Sequence, residues 1–163
     1  MLNRVYDVGE DLSRILGETG TRLEAIGERD SHRTRGPGTW SRKQVLGHLV
    51  DSALNNLHRF VRAQQGTELV FPDYDQPFWV EKGAYQDRPW AEIVALWIAL
   101  NRHLAHVISR IADDRLETPC RVGESRSMPL EFIVRDYVKH LRHHLEQILE
   151  PEGSAGKSHP PFR

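Results

Sequence analysis

The chain has 163 residues, 39% of them hydrophobic and 28% charged, with a formal net charge of -1 and a pI near 6.8. That length suits one domain with a real core, and the balanced charge excludes a global basic field for nucleic acid or an anionic membrane. A single cysteine, Cys120, excludes an internal disulfide and a thiolate zinc cluster, and it reads as a small buried residue. The opening MLNRVYDVGEDL has no apolar run of the signal-peptide kind. The longest uncharged apolar stretch, Ile93 to Asn101, is too short to span a bilayer. A cytoplasmic protein with no membrane or nucleic-acid partner is expected.

Four segments carry helical periodicity and none carries a convincing two-residue alternation, so no strand is expected. The first helix is expected from about residue 2 to 27, with Val5, Val8, Leu12, Ile15, Leu16, Leu23 and Ile26 on one side and Gly17 and Gly20 weakening it. Gly36, Pro37 and Gly38 then break the chain. The second helix starts at Trp40-Ser41 and reaches about Gln64, with Val45, Leu46, Leu49, Val50, Ala53, Leu57, Phe60 and Val61 as its apolar side. A long aromatic connection covers residues 66–87, and a loop of that length with Phe71, Tyr74, Phe78 and Trp79 reads as ordered rather than disordered.

The third helix is expected to begin near Asp87 as N-cap, with Pro89 in its first turn. Its stripe is Ile93, Trp97, Leu100, Leu104, Val107, Ile108 and Ile111. An irregular stretch, DDRLETPCRVGESRS, leads to the fourth helix, with Ser127 as cap, Pro129 just inside, and an end near Glu150. The domain is therefore expected over 1–150, with 151–163 a flexible tail in which His159 is inert. Four long amphipathic helices make an all-α four-helix bundle the expected fold.

Nine histidines are the compositional oddity, and three of them, His140, His143 and His144, fall within five positions of the fourth helix. Leu130, Ile133, Tyr137, Leu141 and Ile148 point that helix at the core. Four residues make just over one turn, so His140 and His144 lie about 40° apart on the edge of the same stripe. His143 falls outside it, among Asp136 and Lys139. An i, i+4 pair of imidazoles can share a metal ion, but a mononuclear site needs a third ligand from another helix. His103 and His106 point away from the apolar stripe of the third helix. Periodicity does not separate His48 from His58 on the second; the polar strip Ser52, Asn55 and Arg59 after His48 favours it as lining a pocket.

The segments WSRKQVLGHLVDSALNNLHRF and DYVKHLRHHLEQIL, with FPDYDQPFWV and RPWAEIVALW between them, resemble the DinB/YfiT-like superfamily of small bacterial metalloproteins over about Trp40 to Leu149. The resemblance implies a four-helix bundle that departs from simple up-down-up-down order and is often a homodimer. It implies a divalent metal held by three histidines, here His48, His140 and His144, with His143 matching no ligand position.

Three neutral imidazoles leave a coordination position open, as in catalytic zinc sites. Zinc is the expected ion, with nickel or another divalent metal the alternative. Asp51 and Gln147, each one turn from a ligand, are candidates to fix the imidazoles. Ser52, Asn55 and Arg59 are candidates to bind a small-molecule substrate, Asn55 and Arg59 through a carboxylate or other polar group that the planar fork of Arg would hold. Tyr74, Asp75 and Trp79 are candidates to wall the pocket, whereas Trp97 and Tyr137 read as core. Some relatives use a low-molecular-weight thiol as cosubstrate in S-transfer, and others are regarded as hydrolases acting with metal-activated water. A non-catalytic metal-binding stress or sensor protein is the third class. The HxxxH interior, Leu141, Arg142 and His143, holds no carboxylate base, and the wheel sets Asp51 further from the core than His48, which leans the expectation to thiol transfer.

Overall fold

The structure is a computed structural model that describes residues 2–150; the expected flexible tail and His159 lie outside the described residues. Four long helices form the bundle: α1 (Tyr6–Glu24), α3 (Arg42–Ala63), α5 (Trp90–Ile108) and α6 (Leu130–Leu149). Two shorter helices, α2 (Glu28–Ser31) and α4 (Gln76–Gly83), sit in the connections. The apolar stripes close on one core that includes Leu12, Leu46, Phe60, Ile93, Trp97, Leu104, Val134 and Leu141. Val61, placed on the apolar side of its helix by the wheel, is instead exposed.

Each long helix packs against two others: α1 against α5 and α6, and α3 against α5 and α6. The helices consecutive in the bundle, α1 with α3 and α5 with α6, therefore stand mainly across the core from each other. Long connections permit this arrangement, because a two- to five-residue loop would force consecutive helices to be neighbours. Helix α5 is long and apolar enough by length and composition to cross a membrane. Here Ile93, Val94, Trp97, Leu104 and Ile108 bury one side of it within the bundle.

The expectation of no strands is corrected. β1 (Leu69–Phe71) pairs parallel with β2 (Pro119–Val122), which pairs antiparallel with β3 (Met128–Pro129), Leu69 opposite Cys120 and Cys120 opposite Met128. Strands of two to four residues are too short to show alternation, and the partner of β1 lies some fifty residues away in the chain. The sheet ties the α3–α4 connection to the α5–α6 connection.

Two caps also differ from expectation. Ser41 caps α3 in a full capping box with Gln44. Asp87, however, lies in a 3-10 turn, Tyr85–Asp87, and α5 begins after Pro89 with no side-chain cap of its own. Glu28 does that work from α2, accepting the Trp90 N–H at 2.7 Å. Its other oxygen takes the ammonium of Lys43, which is only 1% exposed and also donates to Arg88 O at 2.7 Å. Ser127 likewise caps nothing: α6 starts after Pro129, and the Leu130 and Glu131 N–H groups donate to Thr118 O and Leu116 O. Tertiary acceptors replace local caps at both helices.

Candidate metal centre

The seventh residue of α3 and two residues one turn apart on α6 meet where these helices pack. One nitrogen from each of His48, His140 and His144 lies within 4.8 Å of the other two. His48 Nε2 and His140 Nε2 are 3.2 Å apart, and the ring centroids of His140 and His144 are 4.5 Å apart, nearly edge-on. His48 is 1% exposed; the other two are half-buried, so the cluster is reached from the α6 side. Burial first, then mutual repulsion, pushes His48 down to about 3 and His140 to about 4, and burial lowers His144 as well. All three are neutral at physiological pH, the form that donates a lone pair to a metal.

Gln147 fixes the tautomer of His144. Its Oε1 accepts from His144 Nδ1–H at 2.9 Å, leaving Nε2 of that ring as the donor atom, while its Nε2 reaches His143 Nε2 at 3.2 Å. His143 therefore stands behind the site through Gln147. His48 is oriented differently: its Nδ1 is buried with no hydrogen bond, and its ring packs 5.4 Å from Trp40. Trp40 was invisible as a site residue, since it read only as the start of a helix.

Asp51 departs from expectation twice. It does not hydrogen-bond His48, and although the wheel set it further from the core than His48, it is as fully buried, at 3% exposed against 1%. Its Oδ1 accepts from the Tyr85 hydroxyl at 2.6 Å, and its Oδ2 is buried with no partner. Burial raises the carboxyl to about 6, against the opposing effect of the Tyr85 bond. Tyr85 reaches it because Gly47 and Gly83 leave room: a Cβ at Gly47 would lie 2.1 Å from the Tyr85 ring and one at Gly83 2.6 Å. Ala84, between Gly83 and Tyr85, sits at φ 49°, a left-handed conformation uncommon outside glycine. A glycine inside the helix at position 47 was the available sign of this close approach.

Ser52, Asn55 and Arg59 continue along α3 from His48. Ser52 and Asn55 are buried, and Asn55 Nδ2 donates to Asp51 O at 2.9 Å within the helix. Arg59 lies over Phe71, 5.6 Å from its centroid, with Nε buried and unbonded. Tyr74 covers this strip, its phenol raised above the ordinary value by burial and then by Asp51, with Ser52 and Arg59 acting the other way. Trp79 packs edge-on to Tyr74 at 5.2 Å. Asp75 serves instead as the N-cap of α4, accepting from Phe78 N–H. His58, His103 and His106 are exposed outside the cluster, and Trp97 and Tyr137 are core, as expected.

The donor set fits a divalent cation: three converging neutral imidazoles and no fourth His, Cys, Asp or Glu grouped with them among the described residues. Sequence comparison matches the chain to the family described as the DinB superfamily over residues 12–148. An Oceanobacillus iheyensis protein named "Putative metal-dependent hydrolase OB0782" is 29% identical over 148 residues, 91% of this chain and 84% of that protein. A solved structure described as "YfiT from Bacillus subtilis is a probable metal-dependent hydrolase with an unusual four-helix bundle topology" covers 86% of this chain and 83% of its own, with a TM-score of 0.73 and 22% identity. At that identity the likeness concerns the fold. Because the family match runs through nearly the whole bundle, from Leu12 to Ile148, the chain belongs to the DinB superfamily.

Proposed function

We propose that this protein is a metal-dependent hydrolase in which His48, His140 and His144 hold one divalent ion and Asp51 accepts the proton of the attacking water. The supporting observation is the Asp51 carboxylate itself, buried one helical turn from His48, with one oxygen held by Tyr85 and the other unbonded. A divalent ion bound to the three imidazoles supplies Lewis acidity and lowers the pKa of the nucleophile it takes up. Three imidazoles without a thiolate suit zinc, with nickel next. Tyr85 keeps Asp51 in one orientation, and Oδ2 is the atom free to receive a proton. A carboxyl near 6 is a better base at neutral pH than an ordinary aspartate. The names carried by the Oceanobacillus and Bacillus relatives support the same reading.

Thiol-dependent S-transfer is the second reading, favoured by the absence of any carboxylate between His140 and His144. Its thiol would come from solution, because Cys120 is buried, its Sγ donates to Thr118 O, and burial pushes it up to about 11. A thiol loses its proton on binding a divalent ion and would not need Asp51.

The two readings separate in one experiment. Untagged zinc-loaded protein is given 4-nitrophenyl acetate in water, or 1-chloro-2,4-dinitrobenzene with N-acetylcysteine. The hydrolase reading predicts ester turnover that falls roughly 100-fold or more in Asp51→Asn, the usual scale for losing a general base. Thiol conjugation indifferent to Asp51→Asn, with ester cleaved only at the buffer rate, would replace it with S-transfer.

A further inference from the structure

Arg59 is a cation in an unusual situation. It is half-buried, its Nε is shut off from water without a hydrogen bond, and it has no carboxylate within ion-pair distance among the described residues. Burying a charge without a partner is costly, and proteins keep such groups mainly where something else completes them. Burial lowers its pKa, and only Tyr74 and Asp73 act to restore it. Asp73 faces the guanidinium from the connection before α4, but it is exposed and its Oδ1 accepts the Tyr74 N–H at 2.8 Å. Phe71 supplies the apolar floor beneath the guanidinium.

The position of Arg59 gives this cation a direction. His48, Ser52, Asn55 and Arg59 follow one another at intervals of four, three and four residues, which keeps them on one face of α3. Eleven residues of helix place Arg59 about 16 Å along the axis from His48. Between them stand polar groups: the Tyr74 phenol lying against the Ser52 hydroxyl, which accepts from Asn56 Nδ2 at 3.3 Å, and the second amide hydrogen of Asn55. At the metal end is Asp51, an acid. The strip thus runs from a metal cluster, past neutral polar groups, to one unpaired cation over an aromatic ring.

We propose that Arg59, with Tyr74, Ser52 and Asn55, is a carboxylate-binding subsite that holds the far end of a small substrate whose reacting end lies at the histidine cluster. One guanidinium matches one monoanion, and its planar fork matches the two oxygens of a carboxylate. A phosphate dianion would place a second negative charge near Asp51 and Asp73 with nothing to balance it. The substrate class is therefore a carboxylic acid carrying its hydrolysable bond roughly 10 Å from the carboxylate, allowing for the reach of both side chains. The assignment of the reacting end rests on the hydrolase reading above; the carboxylate subsite does not need the metal.

The test uses the metal-free full chain, so failure of the metal reading and failure of this one are distinguishable. The probes are 3-phenylpropionate, its methyl ester, and phenyl phosphate, followed by the NMR signal of the Arg59 Nε–H and by titration calorimetry. Expected results are saturable binding of 3-phenylpropionate at least 10-fold tighter than its methyl ester, with a shift of the Nε–H resonance. Arg59→Gln should abolish that preference, and Arg59→Lys should lose most of it because the fork is gone. The wild-type Nε–H shift keeps the test decisive even if a variant folds poorly. Equal binding of acid and ester, no saturable binding of either, a preference surviving Arg59→Gln, or tighter binding of phenyl phosphate would each overturn the proposal.

Discussion

A carboxylate buried without a cation beside it prefers to be protonated, and Asp51 is in that position with its carboxyl raised to about 6. Its folded pKa lies above the unfolded value near 3.9, so the folded state binds the extra proton between roughly pH 4 and 6. Stability therefore falls as pH rises through that window, and at neutral pH the ionised group is a burden. Asp51→Asn should stabilise the metal-free protein at pH 7.5 by about 1–3 kcal/mol, the shift converted at about 1.4 kcal/mol per unit. Urea unfolding checks it; a loss of stability in Asp51→Asn would mean that the Tyr85 hydrogen bond to the carboxylate outweighs the penalty of burying it. Hydropathy could not show this residue's place, because a polar strip on a wheel reads as a solvated face. His140 and His144 were legible since a four-residue interval fixes their shared side whatever surrounds them. His48 was chosen over His58 by its polar company, Ser52, Asn55 and Arg59, and the structure buries Ser52 and Asn55 and half-buries Arg59.

At the scale of elements, α3, α5 and α6 were legible to within a few residues because twenty-residue apolar stripes average over local exceptions. The connections were not. Residues 66–87 hold β1, α4 and a 3-10 turn, whose organisation depends on a strand from 119–122 and on space left by a helix glycine. Gly47 makes this testable. In an unconstrained helix Gly→Ala is worth about 1 kcal/mol in favour of alanine. Here the new Cβ meets the Tyr85 ring at 2.1 Å, so Gly47→Ala should instead destabilise by about 1–3 kcal/mol, the usual cost of overpacking. Adding Tyr85→Ala should restore much of that loss in a double-mutant cycle. Additive effects of the two substitutions would show that the ring does not press on position 47.

For the molecule as a whole, helix pairing across the bundle brings α3 and α6 side by side and puts three imidazoles from two helices, one buried and two half-buried, in one cluster. The family resemblance anticipated a departure from up-down order; no pattern within the sequence could, since pairing is decided by what the long connections allow. The cluster also sets the response to acid. His48 and His140, folded near 3 and 4 but near 6.5 when unfolded, bind more protons in the unfolded chain, so their stability is present above 6.5 and lost as pH falls. From pH 7.5 to 5.5 each should cost about 1.4 kcal/mol, while protonation of Asp51 returns about 0.8 kcal/mol. The metal-free protein should then be about 2 kcal/mol less stable to urea at pH 5.5 than at 7.5. A flat or opposite profile would mean that these rings are not buried as neutral imidazoles.

The central claim is that one divalent ion is held by His48, His140 and His144 and by no other histidine. Metal content of untagged protein, measured by inductively coupled plasma mass spectrometry after equilibration with zinc and gel filtration, tests it most directly. One zinc per chain is expected in the wild type and in His143→Ala and His58→Ala. Less than a tenth of that should remain in each of His48→Ala, His140→Ala and His144→Ala, whose two remaining imidazoles make a poor chelate. Full zinc content in any of these last three, or its loss in His143→Ala with His144→Ala still loaded, would contradict the account.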